Sequence, residues 1–89
     1  WSSKARADIR AIYATRSRFS TASARNVVKD IRARGRQLEE FPDSGRTVPE
    51  FENRYIRELI EGEFRIIYER FAYRVVVLAV LSGRMSFDV

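Results

Sequence analysis

The chain has 89 residues, 45% hydrophobic and 12% aromatic, with no cysteine and no histidine. A chain this short supports one core and so one domain, residues 1–89, while the missing residue types exclude disulfides, thiolate–zinc sites and the usual near-neutral acid–base. Seventeen basic residues against twelve acidic ones give a net charge of +5, and all but Lys4 and Lys29 of the basic residues are arginine, whose planar fork suits phosphate or carboxylate on an anionic partner.

Charge alone does not say whether that partner is a nucleic acid or an acidic protein, and a plain solvated basic surface gives the same count. No apolar run approaches the roughly 18 residues that cross a bilayer and no signal peptide is visible, so a soluble cytoplasmic protein without a membrane partner is expected. The chain opens on Trp1 rather than Met and stops at Val89 without a polar tail, so further residues are expected at both ends.

From Ser2 to about Phe19, the apolar residues Trp1, Ala5, Ile9, Ile12 and Tyr13 recur near three- and four-residue spacing, which predicts an amphipathic helix capped by Ser2 or Ser3. After a break at Phe19-Ser20-Thr21-Ala22, a second helix is expected from about Ala22 to Glu40. Its stripe is Ala24, Val27, Val28, Ile31, Leu38 and Phe41, interrupted at Gly35, and so short a connection implies an antiparallel hairpin. Pro42 stops the helix, Asp43-Ser44-Gly45 is turn chemistry, and Val48 to Asn53 reads as irregular.

The period then changes to two. Tyr55 to Ile60 reads as a strand, Glu61-Gly62 as a tight turn, and Phe64 to Glu69 as a second strand with Phe64, Ile66 and Tyr68 on one face and Arg65, Ile67 and Glu69 on the other. Arg70-Phe71-Ala72 turns the chain into a third strand, Tyr73 to Leu81. Its uninterrupted Val75–Val80 run implies cover on both faces or a central place in the sheet. The expected fold is α+β: an N-terminal helical hairpin packed on one face of a small antiparallel sheet. Ile9, Ile12, Val28, Ile31, Ile66, Val77 and Ala79 are expected to be buried between the two layers.

The ordered set of residues at the joints resembles the RelE/ParE superfamily of type II toxin–antitoxin toxins. It comprises Trp1, Ser2, Ala5, Asp8, Ile9, Ile12 and Tyr13 in the opening, then Phe41-Pro42, Ser44-Gly45-Arg46 and Pro49-Glu50. Next come Ile56-Arg57-Glu58-Leu59 and Phe64-Arg65-Ile66-Ile67-Tyr68, and finally Val80-Leu81-Ser82-Gly83-Arg84. The resemblance spans almost the whole chain and implies a further strand just ahead of the opening tryptophan. It also implies a growth-arresting toxin, neutralised by an acidic cognate antitoxin in a hetero-oligomer. The superfamily divides into ParE-like proteins that poison DNA gyrase by binding and RelE-like, ribosome-dependent mRNA endonucleases.

For a nuclease, the resemblance carries Glu50 over as general base and Arg65 and Arg84 as phosphate clamps. One cleaving branch uses a late His-Tyr pair, where Ser86 and Phe87 stand here; the other uses helix lysines and a late tyrosine. The machine looks incomplete, and the wording around Arg46 and Arg57 is closer to ParE-like sequences, which favours the binding toxin with Arg46, Arg57, Arg65 and Arg84 as binding residues. Each residue also has a plainer role. Arg65 can pair with Glu58 across the turn, Glu50 can anchor its loop through Arg46 or Arg57, and Tyr68 and Tyr73 can serve as packing. Arg84 follows a glycine at a strand end and reads as surface or ligand-contacting, and Arg32-Ala33-Arg34-Gly35-Arg36 as the exposed side of the second helix. No cofactor or metal is implied, since glycine-rich phosphate loops, nucleophile elbows and metal-ligand spacings are absent from the sequence.

Overall fold

The computed structural model describes residues 1–83. Its first helix, α1, runs Ser3–Ser17, with the Ser2 hydroxyl accepting from the Ala5 amide at 3.1 Å. Ser20 repeats the device for α2, Thr21–Glu40, by accepting from the Ser23 amide at 3.1 Å. Both caps satisfy amides that the first helical turn leaves unpaired. Along α2 the buried residues Ala24, Ile31 and Leu38 stand seven apart, so they line one seam of the helix.

The helix does not break at Gly35. The ring of Trp1 lies so close there that an added Cβ would meet its Cζ2 at 2.5 Å. Glycine is the residue that lets α1 and α2 come together at this point, which outweighs its roughly 1 kcal/mol helix penalty.

Four antiparallel strands follow in the spatial order in which they occur: β1 Arg46–Thr47, β2 Ile56–Glu61, β3 Phe64–Arg70 and β4 Val75–Ser82. Gly62 makes the β2–β3 turn with φ +56, a conformation costly for any residue with a Cβ. One sheet face presents Leu59, Ile66, Tyr68, Val77 and Val80 to Ala5, Ile9, Ile31 and Leu38 of the hairpin. The other gathers Ile56, Ile67, Ala79 and Leu81 beneath Val48 and the half-buried Phe51. The irregular segment between β1 and β2 is therefore the lid of a second, smaller core.

A bulge decides which β4 residues reach which core. Tyr68 is opposite Val77 and Ile67 opposite Ala79, so Leu78 is the extra residue, and Val77 and Val80 share a face although three positions apart. The outer side of β4 is tied to α1. The Ser2 amide and hydroxyl donate to Val77 O and Leu78 O at 2.8 and 2.9 Å, and Val80 N donates to Asp8 Oδ2 at 2.9 Å.

Several expectations need correcting. The two-residue strand at Arg46–Thr47 is too short to carry a period and was not expected. Phe41 caps the end of α2 and is 61% exposed rather than continuing its stripe. Ala79 is fully buried, but on the sheet face away from the hairpin, because the bulge resets the alternation. Ile12 and Val28 are half-buried at the hairpin margin. Tyr73 does not pack: it lies in the turn before β4 and is fully exposed.

Candidate functional site

Glu58 on β2 and Arg65 on β3 occupy diagonal positions on the sheet face opposite the helices, since Glu58 is opposite Ile67 and Ile60 is opposite Arg65. Diagonal neighbours are within reach of long side chains. Arg65 Nε donates to Glu58 Oε2 at 2.7 Å, and its Nη2 lies 2.6 Å from the same oxygen. The other oxygen of Glu58 accepts from Arg46 Nε at 2.8 Å, placed by the opposition of Arg46 and Glu58 in the β1–β2 pair.

The lid segment adds Glu50. Its two carboxylate oxygens accept from Arg65 Nη1 and Nη2 at 2.8 and 2.9 Å, a bidentate fork. The Glu50 hydrogen bonds, followed by those to Glu58, hold the Arg65 guanidinium charged well above the ordinary arginine range, against the opposing effect of burial. The result is a linked Glu50–Arg65–Glu58–Arg46 set in which the Glu58 side chain has no exposed surface and that of Arg65 only 10%. Both charges of the inner pair are satisfied where water scarcely reaches.

Arg57 belongs elsewhere. It sits opposite Tyr68 on the hairpin side of the sheet, and its Nη1 donates to Gly45 O at 2.9 Å. Tyr68 holds the same loop from below: its buried hydroxyl accepts from Gly45 N at 3.0 Å and donates to Pro42 O at 2.9 Å. Burial, the largest influence, pushes that hydroxyl above its usual value near 10, so it stays protonated. Gly45 is required here, because a Cβ would fall 2.5 Å from Glu58 O and 2.6 Å from the tyrosine hydroxyl.

The structure therefore joins Glu50, Arg65 and Arg46 in one cluster through Glu58 and sends Arg57 to the other face. Among the described residues Glu50 pairs with Arg65, rather than with Arg46 or Arg57 as sequence reasoning offered. Arg84, with Ser86 and Phe87, lies outside the described residues.

Sequence reasoning missed a second feature. A groove of about 640 Å³ runs along the outer side of the hairpin, over Ile9, Tyr13 and Val28. Its rims carry Arg10 from α1 and Arg25, Lys29, Arg32 and Arg36 from α2, and Arg6 extends the cationic rim into the adjoining hollow beside Trp1. The α2 cations are spaced by four, three and four residues, which places them on one side of the helix. That periodicity was the available signal, hidden because Arg32 to Arg36 read as an uninteresting charged run.

A family model described as the ParE toxin of the type II toxin–antitoxin system parDE matches residues 1–87. The chain belongs to the ParE toxin family. Among solved structures the ParE-family chain is similar to one from P. aeruginosa titled "Chromosomal ParDE TA system". The TM-score is 0.77 and the identity 25%, over 92% of this chain and 90% of that one. No curated protein is similar enough to be matched. Family and fold agree with the resemblance read from the joints, and membership in a type II system implies an antitoxin partner. No helix among the described residues is long and apolar enough to cross a membrane, and no group of metal-ligating side chains occurs among them.

Proposed function

We propose that this ParE-family chain arrests growth by binding DNA gyrase and stabilising its DNA breaks, not by cutting RNA. The observation that carries the reading is the engagement of Glu50 and Arg65 with each other. A general base must release its hydrogen bonds to take a proton, and a phosphate clamp must offer open donors. Here both oxygens of Glu50 accept from Arg65, whose Nε and Nη2 also serve a buried Glu58. Recruiting either residue to a scissile phosphate means dismantling the lid of the second core.

The leaving-group acid points the same way. Arginine holds its proton too tightly to donate it near pH 7, and the Tyr68 hydroxyl is enclosed between Gly45 and Pro42. Of the arginines carried over from the resemblance, Arg46 has a guanidinium suited to touching a target, since its side chain is 68% exposed. Arg84 joins it as a proposed contact residue.

The test compares two targets with the full-length protein freed of its antitoxin. In a gyrase reaction, stabilised DNA breaks and loss of supercoiling are expected. In a translating-ribosome reaction, the message should stay intact. Codon-positioned cuts that disappear in Arg65→Ala, while that variant remains folded, would overturn the proposal in favour of a ribosome-dependent nuclease.

A further inference from the structure

Of the seven large hydrophobic side chains exposed among the described residues, four gather where β3 turns into β4 and at the adjoining ends of α2 and β2: Phe41, Tyr55, Phe71 and Tyr73. Exposed apolar residues scattered singly need no explanation, whereas a gathering of aromatic rings marks a binding surface. Two of the rings carry a guanidinium. Arg74 lies over the Phe71 ring at 5.2 Å from its centre, and Arg54 over the Tyr55 ring at 5.0 Å. Arg70 N donates to Tyr55 O at 2.8 Å, which sets the two stacks at one end of the sheet, the other end of β3 from Arg65.

Between the β3–β4 turn and the end of α2 is a hollow of about 430 Å³. Leu38 and Pro42 give it an apolar wall, Phe71 and Tyr73 supply rings, and Glu39 and Arg74 bring one charge of each sign. Neither Glu39 nor Arg74 forms an ion pair among the described residues. This mixture selects among occupants. Glu39 would repel a phosphate or a carboxylate, and a purely apolar segment would strip water from both charges without replacing its hydrogen bonds. A flat ring with donors on one edge and acceptors on the next satisfies the rings, the carboxylate and the guanidinium together. Among nucleobases that ring is guanine: its N1–H and amino group suit a carboxylate, and its O6 and N7 suit a guanidinium.

We infer that the hollow between α2 and the β3–β4 turn binds one unpaired guanine base. The base stacks on Tyr73, Glu39 accepts from its amino edge, and Arg74 donates to O6 or N7. A base offered by a single strand has a further platform for its neighbour in the Tyr55–Arg54 stack, whereas a free guanine nucleotide has the hollow alone. The inference is independent of the gyrase reading, and a supercoiling result of either sign leaves it standing.

The net charge of +5 attracts any oligonucleotide through its phosphates, so the test reads differences between bases at constant length and salt. Fluorescence anisotropy is followed on three labelled single strands of about 12 nucleotides, a length that spans one binding site. They are oligothymidine, the same strand with one central guanine, and the same with hypoxanthine there, which lacks the amino group. The guanine strand is expected to bind roughly tenfold tighter than oligothymidine and several-fold tighter than the hypoxanthine strand. Tyr73→Ala should weaken the guanine strand roughly tenfold by removing the stack, and Glu39→Ala should make guanine and hypoxanthine equal. Both variants alter exposed side chains, and circular dichroism checks that they fold. Competition with GMP separates the two sources of the base. Displacement at the strand's own dissociation constant assigns a free nucleotide, and displacement at least tenfold weaker assigns a single strand.

Equal affinity for all three strands, unaltered binding in Tyr73→Ala, or a preference for guanine over hypoxanthine that survives Glu39→Ala would each overturn the inference. So would dimerisation in the ultracentrifuge that disappears in Tyr73→Ala, because a second copy of the chain would then fill the hollow.

Discussion

Arg65 and Glu58 face each other diagonally across β3 and β2, and the acidic member has no exposed side-chain surface. Removing Arg65 leaves the buried Glu58 with Arg46 in place of two cations, and losing charged hydrogen bonds of this kind typically costs roughly 1.5–3 kcal/mol, a large share of what so small a domain has. Arg65→Ala is therefore expected to lower the unfolding midpoint sharply in a thermal melt. Replacing both residues with apolar ones of similar volume should recover much of the loss. A single variant that melts like the parent would mean that the pair is solvated in solution.

Tyr68→Phe tests the hydroxyl that bridges Gly45 and Pro42. Both groups lose a buried partner, so the expected loss is about 1–3 kcal/mol, measured by chemical denaturation. There is a pH signature as well. The native hydroxyl ionises above its usual value near 10, so the stability it contributes is complete below that pH and is lost as the pH rises through the higher native value. Alkaline destabilisation should therefore be shallower in Tyr68→Phe than in the parent.

Two glycines should respond unequally to alanine. At Gly45 the new Cβ meets a backbone carbonyl and the tyrosine hydroxyl, neither of which can move without breaking strand pairing or a buried hydrogen bond. Overpacking of this kind costs roughly 1–3 kcal/mol or more. At Gly35 the obstacle is the Trp1 ring, and alanine's better helix propensity offsets part of the clash. Thermal melts should rank Gly45→Ala as the more damaging, and the reverse order would show that the loop at Gly45 yields more readily than the hairpin.

Ile31 is fully buried at the centre of the larger core. Ile31→Ala is expected to cost roughly 2–5 kcal/mol, read from urea unfolding as a lower midpoint at an unchanged slope. An unaltered midpoint would contradict the hairpin's placement on the sheet.

Both helices, the serine cap of the first and the three longer strands were legible because each has a period or a cap that only one kind of element satisfies. The second core was not. Val48 and Phe51 lie in a segment without periodicity, and nothing local to them indicates that they fold back over Ile67 and Ala79. The same blindness separated Glu50 from Arg65: the two stand fifteen positions apart, the loop between them must close before the pair exists, and pattern reading sees only neighbours. Tyr73 failed for another reason, as alternation was extended past the point where β4 begins.

The hydrogen bonds that Ser2 donates to Leu78 O and that Asp8 accepts from Val80 N link positions 76 and 72 residues apart. Between α1 and its docking strand stand α2 and three strands, so a long loop must close before either gains from the contact. A fragment of this chain that stops short of β4 would therefore lack the strand to which α1 is tied.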